Sequence, residues 1–587
     1  MLLSLAILLL PLLSGFALAL AHAHAHAQDR LFSSAFGYPG RNASYDYVVV
    51  GGGTAGLTLA ARLAAASASV AVVEAGGFYE VENANNSVVP LLSLTGIAFV
   101  DPSPAFVPQP LMDWSLVSEP VPGAAGRTVH YAQAKTLGGS SAINTMSYVR
   151  GTKGAYALWA DTVGDDSFRW ERMLEYFRRS VSLTPPDEEK RRNTNATVRF
   201  DPGDYAGDGA GPLHVSWNNW VDPTLTWLAG VVQSLGLGIS PNGFSSGELA
   251  GHAAWVPSTI EPASAQRSTS ESSFLRQAVG DTAIDPLRRH AAGTFHSPQL
   301  LQVSGVGARE QLEALSIPVV ADVPGVGRNL QDPIQIFVAY PVNTPSAQSL
   351  TNDPALDPGF VEEYLRSGTG PYSSAAGFLA HERLPNATLA RLTERTRQKL
   401  ASFPSDWPHL SFIAGSFSPG PGQTSGTLAA YLPLVFSRGN VTISSASVGT
   451  QPTIHLNWLS DPADVELAVT AVKRLRAAWS SPFADTPGFK AGPEALPGDA
   501  VRTDEEILEY VRANAGQVWH PVSTVAMGKE EDVGSGRAVV DSRGRGFGVQ
   551  GLRVADASTF PFALPGHPQS AVYALAEKIA DDIITGR

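Results

Sequence analysis

The chain has 587 residues, 44% of them apolar, and a formal net charge of −13. It is longer than one compact core usually holds and too apolar to be disordered, so two domains, or one core with a large insertion, are expected. An acidic chain without a dense Lys/Arg run is a poor partner for nucleic acid or an anionic bilayer, and the absence of any cysteine excludes disulfides, thiolate metal sites and cysteine nucleophiles.

The chain opens with an apolar stretch, Leu2 to Leu20, followed by Ala25-His26-Ala27 before Gln28. This is the pattern of a cleaved secretory leader over residues 1–27, with a membrane anchor as the alternative. Pro11, Gly15 and the small-residue ending favour cleavage. The expected product is a secreted protein with no membrane segment, and His22, His24 and His26 leave with the leader, so no metal site is assigned. Five Asn-x-Ser/Thr sequons, at Asn42, Asn85, Asn195, Asn386 and Asn440, fit export and mark candidate glycosylation sites.

From Tyr45 the sequence reads YDYVVVGGGTAGLTLAARLAAASASVAVVEAGG. The β-branched run Val48-Val49-Val50 predicts a buried parallel strand, and Leu57 to Ala65 is rich in helix formers. Gly51, Gly53 and Gly56 complete G-x-G-x-x-G between them. The first glycine permits the tight turn, the second lets backbone approach a pyrophosphate, and the third lets helix and strand pack closely. A second strand, Val70 to Val73, ends at Glu74, placed 18 residues beyond Gly56 to accept hydrogen bonds from an adenosine ribose. One dinucleotide is therefore expected, and the fingerprint alone leaves FAD and NAD open.

Further along, Gly138-Gly139-Ser140-Ser141 offers backbone N–H groups and hydroxyls to a phosphate or a ring, or makes an ordinary structural turn. GTFHSPQLLQVSGVG predicts a short helix with His296 and Ser297 at its start, as capping residues or ligand contacts. Beyond Pro341 the pattern changes. SRGNVTISSASVGTQPTIHLNWL reads as a pair of alternating strands and DPADVELAVTAVKRLRAAW as a capped amphipathic helix, so an antiparallel sheet with helices is expected to supply the substrate side. The final segment predicts a strand at Leu552-Arg553-Val554 and a helix carrying Val572, Leu575, Ala576, Ile579 and Ile583 on one face, returning the chain to the first domain. Two histidines stand in this region, His520 in GQVWHPVSTVAMG and His567 in PGHPQ. Each on its own reads equally as a buried structural histidine.

Four separated motifs resemble the glucose–methanol–choline (GMC) oxidoreductases: the fingerprint, AKTLGGSSAIN with YVRG, GTFHSPQLLQVSGVG, and HPVSTVAMG with LRVADAS…PGHPQ. The resemblance runs from Tyr45 to the C-terminus. It implies an α/β protein with a Rossmann-like FAD-binding domain and a substrate domain of antiparallel sheet plus helices. Residues 45–335 are expected to be mainly FAD-binding, 336–512 substrate-binding, and 513–587 a return to the first domain with the catalytic histidines. By residue-by-residue similarity, His520 is the general base and His567 its partner, 47 residues on. Contacts to FAD fall to Gly51, Gly53, Thr54, Ala55, Gly56, Glu74, Ala75, Gly139, Ser140, Asn144, Trp519, Asp556, Ala557, Pro568 and Gln569. The finer pattern resembles a fungal secondary-metabolism subgroup of the family. The activity implied is oxidation of a small-molecule alcohol, with O2 as a candidate acceptor. Two alternatives stand beside it: a redox-neutral cyclase or dehydratase of a polyketide-derived substrate, and a degenerate, non-catalytic homologue.

The chain departs from the family pattern between Gly280 and Ala291. Only DTAIDPLRRH stands where the family carries several tens of residues, including sheet strands, so those strands are expected to be missing. Gln133-Ala134-Lys135 also replaces the family's Arg-Gly-Lys, and Pro333 stands where His usually follows Asp332.

Overall fold

The computed structural model describes residues 44–94, 109–191, 196–207, 211–281, 284–288, 292–375 and 377–587. The leader and the sequons at Asn42 and Asn195 lie outside them. In chain order, the first unit runs β1 (Tyr47–Val50), α1 (Thr54–Ala65), β2 (Val70–Glu74) and α2 (Trp170–Ser180). The middle of the chain carries β3 (Gly238–Ile239), β4 (His252–Trp255), β5 (Ile284–Arg288), α3 (His296–Val303) and β6 (Ile334–Val342). Then follow β7 (Phe378–Glu382), β8 (Leu410–Phe417), β9 (Thr424–Tyr431), α4 (Pro462–Trp479), α5 (Asp504–Asn514), β10 (Gly516–Gln517) and α6 (Gln569–Ile584).

β1 and β2 run parallel in register Val49 to Val72, with α1 as the crossover, as the fingerprint predicts. The third strand comes from the shortened segment. β5 pairs parallel with β2, Ile284 opposite Val70, so the segment keeps one strand where none was expected. The order is β1-β2-β5, which leaves β1 at an edge. Val48 and Val50 are 58% and 42% exposed there, which the predicted burial of that strand did not foresee. The strand expected at Leu552–Val554 also does not form. Arg553 makes only an isolated bridge to Arg545, because among the described residues no strand lies beside β1 to extend the sheet toward it.

The second layer is a seven-stranded sheet in the order β10-β6-β9-β8-β7-β4-β3. Its centre is antiparallel, and β3 joins β4 in parallel. β3 and β4 come from residues 238–255, so the seven-stranded sheet recruits chain from ahead of residue 336. The strand pair predicted after Ser437 is Asn440–Thr442 against Thr453–His455, and the Asp461 carboxylate caps α4 by accepting from the Ala463 N–H.

α6 returns to pack on α1 and α2. Val572, Leu575, Ala576 and Ile579 are buried as predicted, but so are Glu577, Lys578 and Asp582, because both flanks of the helix are covered. The Glu577 carboxylate accepts three hydrogen bonds of 2.7–2.9 Å from the Arg62 guanidinium, locking the last helix to the first.

Candidate active site

The two ends of the sequence motif set meet in one cleft of about 2150 Å³. Ordinary small-molecule sites reach roughly 1000 Å³, so the cleft has room for a dinucleotide and a substrate together. At one end lie Gly51, Gly53, Thr54, Ala55, Gly56 and Glu74. Gly51 has φ +102°, in the region that glycine adopts without strain, and a Cβ on Gly56 would sit 1.9 Å from the Gly51 carbonyl oxygen. A Cβ on Gly53 would meet nothing nearer than 3.6 Å, at Gly139, so that glycine keeps open space at the N-terminus of α1 rather than a helix–strand contact. Glu74 is buried, and its carboxylate accepts from the Gly52 N–H at 2.7 Å and the Gly76 N–H at 2.9 Å. Burial is the larger influence on it and pushes its pKa up to about 7.

Gly139, Ser140 and Asn144 form the facing wall. The Asn144 amide donates to the Gln569 side-chain oxygen at 2.6 Å, which ties the Gly-Gly turn to the start of α6. The buried Arg267 guanidinium donates to the Asn144 side-chain and backbone oxygens, both at 2.7 Å. Asp556, Ala557, Pro568 and Gln569 complete this side. The Ser297 hydroxyl donates to Asp556 at 2.6 Å, so the serine at the start of α3 positions a cleft carboxylate. Of the predicted cofactor contacts only Ala75 stays off the cleft wall, since it follows Glu74 on the far side of the strand end.

At the inner end His520 and His567 come together from segments 47 residues apart. Their ring centroids are 4.9 Å apart with the planes at 75°. Both line the cleft and are half-buried. Burial, with the neighbouring His567 as a lesser cause, holds His520 well below the usual histidine range. Burial alone lowers His567 to about 4. Both rings are therefore neutral at neutral pH. His520 sits in a loop of unusual backbone: Trp519 has φ +56° and Ser523 φ +75°, conformations costly for side-chain-bearing residues and concentrated at functional sites. Thr294 and its neighbours hold that loop. The Thr294 hydroxyl donates to the Pro521 carbonyl at 2.8 Å, and the Thr524 hydroxyl donates to the Thr294 carbonyl at 2.6 Å.

Tyr431, which no sequence motif singled out, stands against both histidines with its ring 6.1 Å from each, nearly perpendicular to both. It is fixed by register, opposite Ser411 on β8 and Gln335 on β6. Arg267 was equally invisible, and Thr294 stood unremarked inside GTFHSPQLLQVSGVG. The one sequence signal available for them was a polar residue inside or beside an apolar run, which does not say what it faces.

One cleft thus joins the Gly51–Gly56 turn to a pair of half-buried, neutral histidines. Matches to two family models described as GMC oxidoreductase cover residues 45–284 and 435–576. The chain is 41% identical to patulin synthase of Penicillium expansum, over 94% of each protein. It is 40% identical to versicolorin B synthase of Aspergillus parasiticus, over 94% of this chain and 90% of that one. Among solved structures, an FAD-dependent oxidoreductase from Chaetomium thermophilum matches 92% of this chain and 99% of its own at 27% identity and a TM-score of 0.79. A fungal aryl-alcohol oxidase matches at 25% identity with a TM-score of 0.78. The chain belongs to the GMC oxidoreductase family and is an oxidoreductase of that fold.

Proposed function

We propose that the protein is a secreted, FAD-dependent enzyme that oxidises an alcohol, with His520 as the base. The observation that carries this reading is the meeting of His520 and His567 at the inner end of the cleft that begins at the Gly51–Gly56 turn. The residues present suit FAD. Gly53 leaves the N-terminus of α1 open to an anion, Gly139 and Ser140 face it across the cleft, and Glu74 lies at the ribose position. Asn144, Trp519, Ala557, Pro568 and Gln569 also line the cleft and would hold the ring system.

When bound, FAD supplies the acceptor for the hydride leaving the carbinol carbon. The chain supplies position and proton transfer. An alcohol gives up hydride readily only as its hydroxyl proton is removed, and a neutral imidazole at His520 can take that proton. His567, also neutral, holds the substrate oxygen in line through a ring nitrogen. The Trp519 backbone conformation and the Thr294 hydrogen bonds fix the base in advance of substrate. The leader over residues 1–27 supports secretion, and O2 is a suitable final acceptor for such an enzyme.

The similar identity to versicolorin B synthase favours one second reading, a redox-neutral cyclisation in which the two histidines act as base and acid. The test is the visible spectrum of the purified protein followed by anaerobic addition of alcohols. Bleaching of a bound flavin is the expected result. A flavin that stays oxidised while a polyketide-type substrate cyclises would replace oxidation with the second reading, and a folded, colourless protein would end both.

A further inference from the structure

Beyond the histidines the cleft is walled by one face of the seven-stranded sheet. In a strand, alternate residues share a face, and directly opposed residues on neighbouring strands share it too. Ile336 and Val338 point into the core and are fully buried, while Gln335, Phe337 and Ala339 line the cleft. The register sets Phe337 beside Ala429 and Ile413, and Ala339 beside Thr427 and Gly415. The result is a flat wall of small and apolar side chains, suited to a planar molecule.

Gln335 interrupts that wall, and its amide has a defined orientation. Its Nε2 donates to the Gln517 carbonyl at 2.8 Å, and the Gln517 side chain in turn donates to the His130 carbonyl at 2.9 Å. The nitrogen is committed to a protein acceptor. The oxygen, Oε1, accepts from none of the described side chains or backbone groups, and the residue lines the cleft. An amide oxygen in such a wall calls for a donor from the cleft.

Its place relative to the base follows from the register. Gln335 opposes Tyr431 across one strand gap, a Cα separation of roughly 5 Å. The Tyr431 ring lies 6.1 Å from both histidine rings. Gln517, which anchors the amide, is three residues ahead of His520. Gln335 therefore shares a sheet face with Tyr431, whose ring stands against both histidines.

We infer that Gln335 is a specificity-determining residue whose side-chain oxygen accepts a hydrogen bond from a second hydroxyl group of the substrate. The substrate class is a flat, ring-bearing alcohol carrying a further hydroxyl away from the carbinol. This deepens the proposed alcohol oxidation and rests on it.

The probes are benzyl alcohol and its 3- and 4-hydroxy derivatives, applied to the flavin-loaded protein. Two quantities are read for each, Kd by calorimetry and the rate of anaerobic flavin bleaching. The expected result is a preference of about tenfold or more for one hydroxylated alcohol, since a site built around a hydrogen bond discriminates strongly against a ligand lacking the partner. Gln335→Leu collapses that ratio toward one. Equal Kd values in the wild type, or a ratio that survives Gln335→Leu with flavin still bound, would overturn the assignment. Binding without bleaching by any of the three alcohols would count against alcohol oxidation, and the Kd ratio would still decide the role of Gln335.

Discussion

Replacing His520 with alanine gives the sharpest test of the site. The ring is packed against His567 at 4.9 Å and against Tyr431 at 6.1 Å, so its loss opens space at the reacting end and leaves the glycine turn near Gly51 untouched. Flavin content is expected to stay stoichiometric. A positioned general base contributes about 10²–10⁴-fold, or roughly 3–5 kcal/mol of barrier at 1.36 kcal/mol per decade. The rate of anaerobic bleaching should fall by that factor. The pH profile supplies the second reading. The base must be neutral to work, and burial holds His520 well below the usual histidine range. Activity in the wild type is therefore present above that lowered pKa and is lost only as pH falls through it. The rate should be level from pH 8 down past 6.5, the ordinary histidine value, and decline at more acid pH. Stopped-flow bleaching across pH measures both. A flavin-loaded His520→Ala variant within tenfold of the wild type, or a wild-type acid limb centred at or above 6.5, would refute the assignment of His520 as base.

Three further outcomes follow from the fold. Gly56→Ala places a Cβ 1.9 Å from the Gly51 oxygen and should yield little folded protein, whereas Gly53→Ala should fold and lose flavin affinity, read by expression and flavin titration. Arg62→Met strips the principal partner from the fully buried Glu577 and should cost about 3–5 kcal/mol in thermal or denaturant unfolding, with Arg179 at 3.2 Å retaining part of the pairing. Among the described sequons Asn386 is exposed, while Asn85 and Asn440 are half-buried, so Asn386→Gln should produce the clearest loss of glycan mass from secreted protein.

What the sequence made legible was local. The strand, glycine turn and helix from Tyr47 to Ala65 are specified by neighbours in the chain, as is the cap at Asp461. Those features need no knowledge of distant segments. The position of Tyr431 does, because it depends on the register of β9 against β6 and β8, set by turns and core faces far from the histidines. Gln335 was silent for the same reason: a glutamine in IQIFVAY gives no sign of facing a cleft until the strand's two sides are assigned. The expected strand at Leu552–Val554 shows the opposite failure. Its residues have strand propensity, but a strand exists only where a partner lies beside it.

That absent partner concerns β1, whose outer edge pairs with no strand among the described residues and whose Val48 and Val50 line the cleft. A bare sheet edge with apolar side chains is a template for pairing with another chain. Here the same edge borders the cofactor cleft, so solubility and cofactor loading are linked. Flavin seated against α1 and β1 would shield apolar surface from neighbouring molecules, and flavin-depleted preparations should be the ones that cloud on concentration. For anyone producing this enzyme, supplying flavin during expression is then a way of keeping the protein in solution as well as a way of making it active.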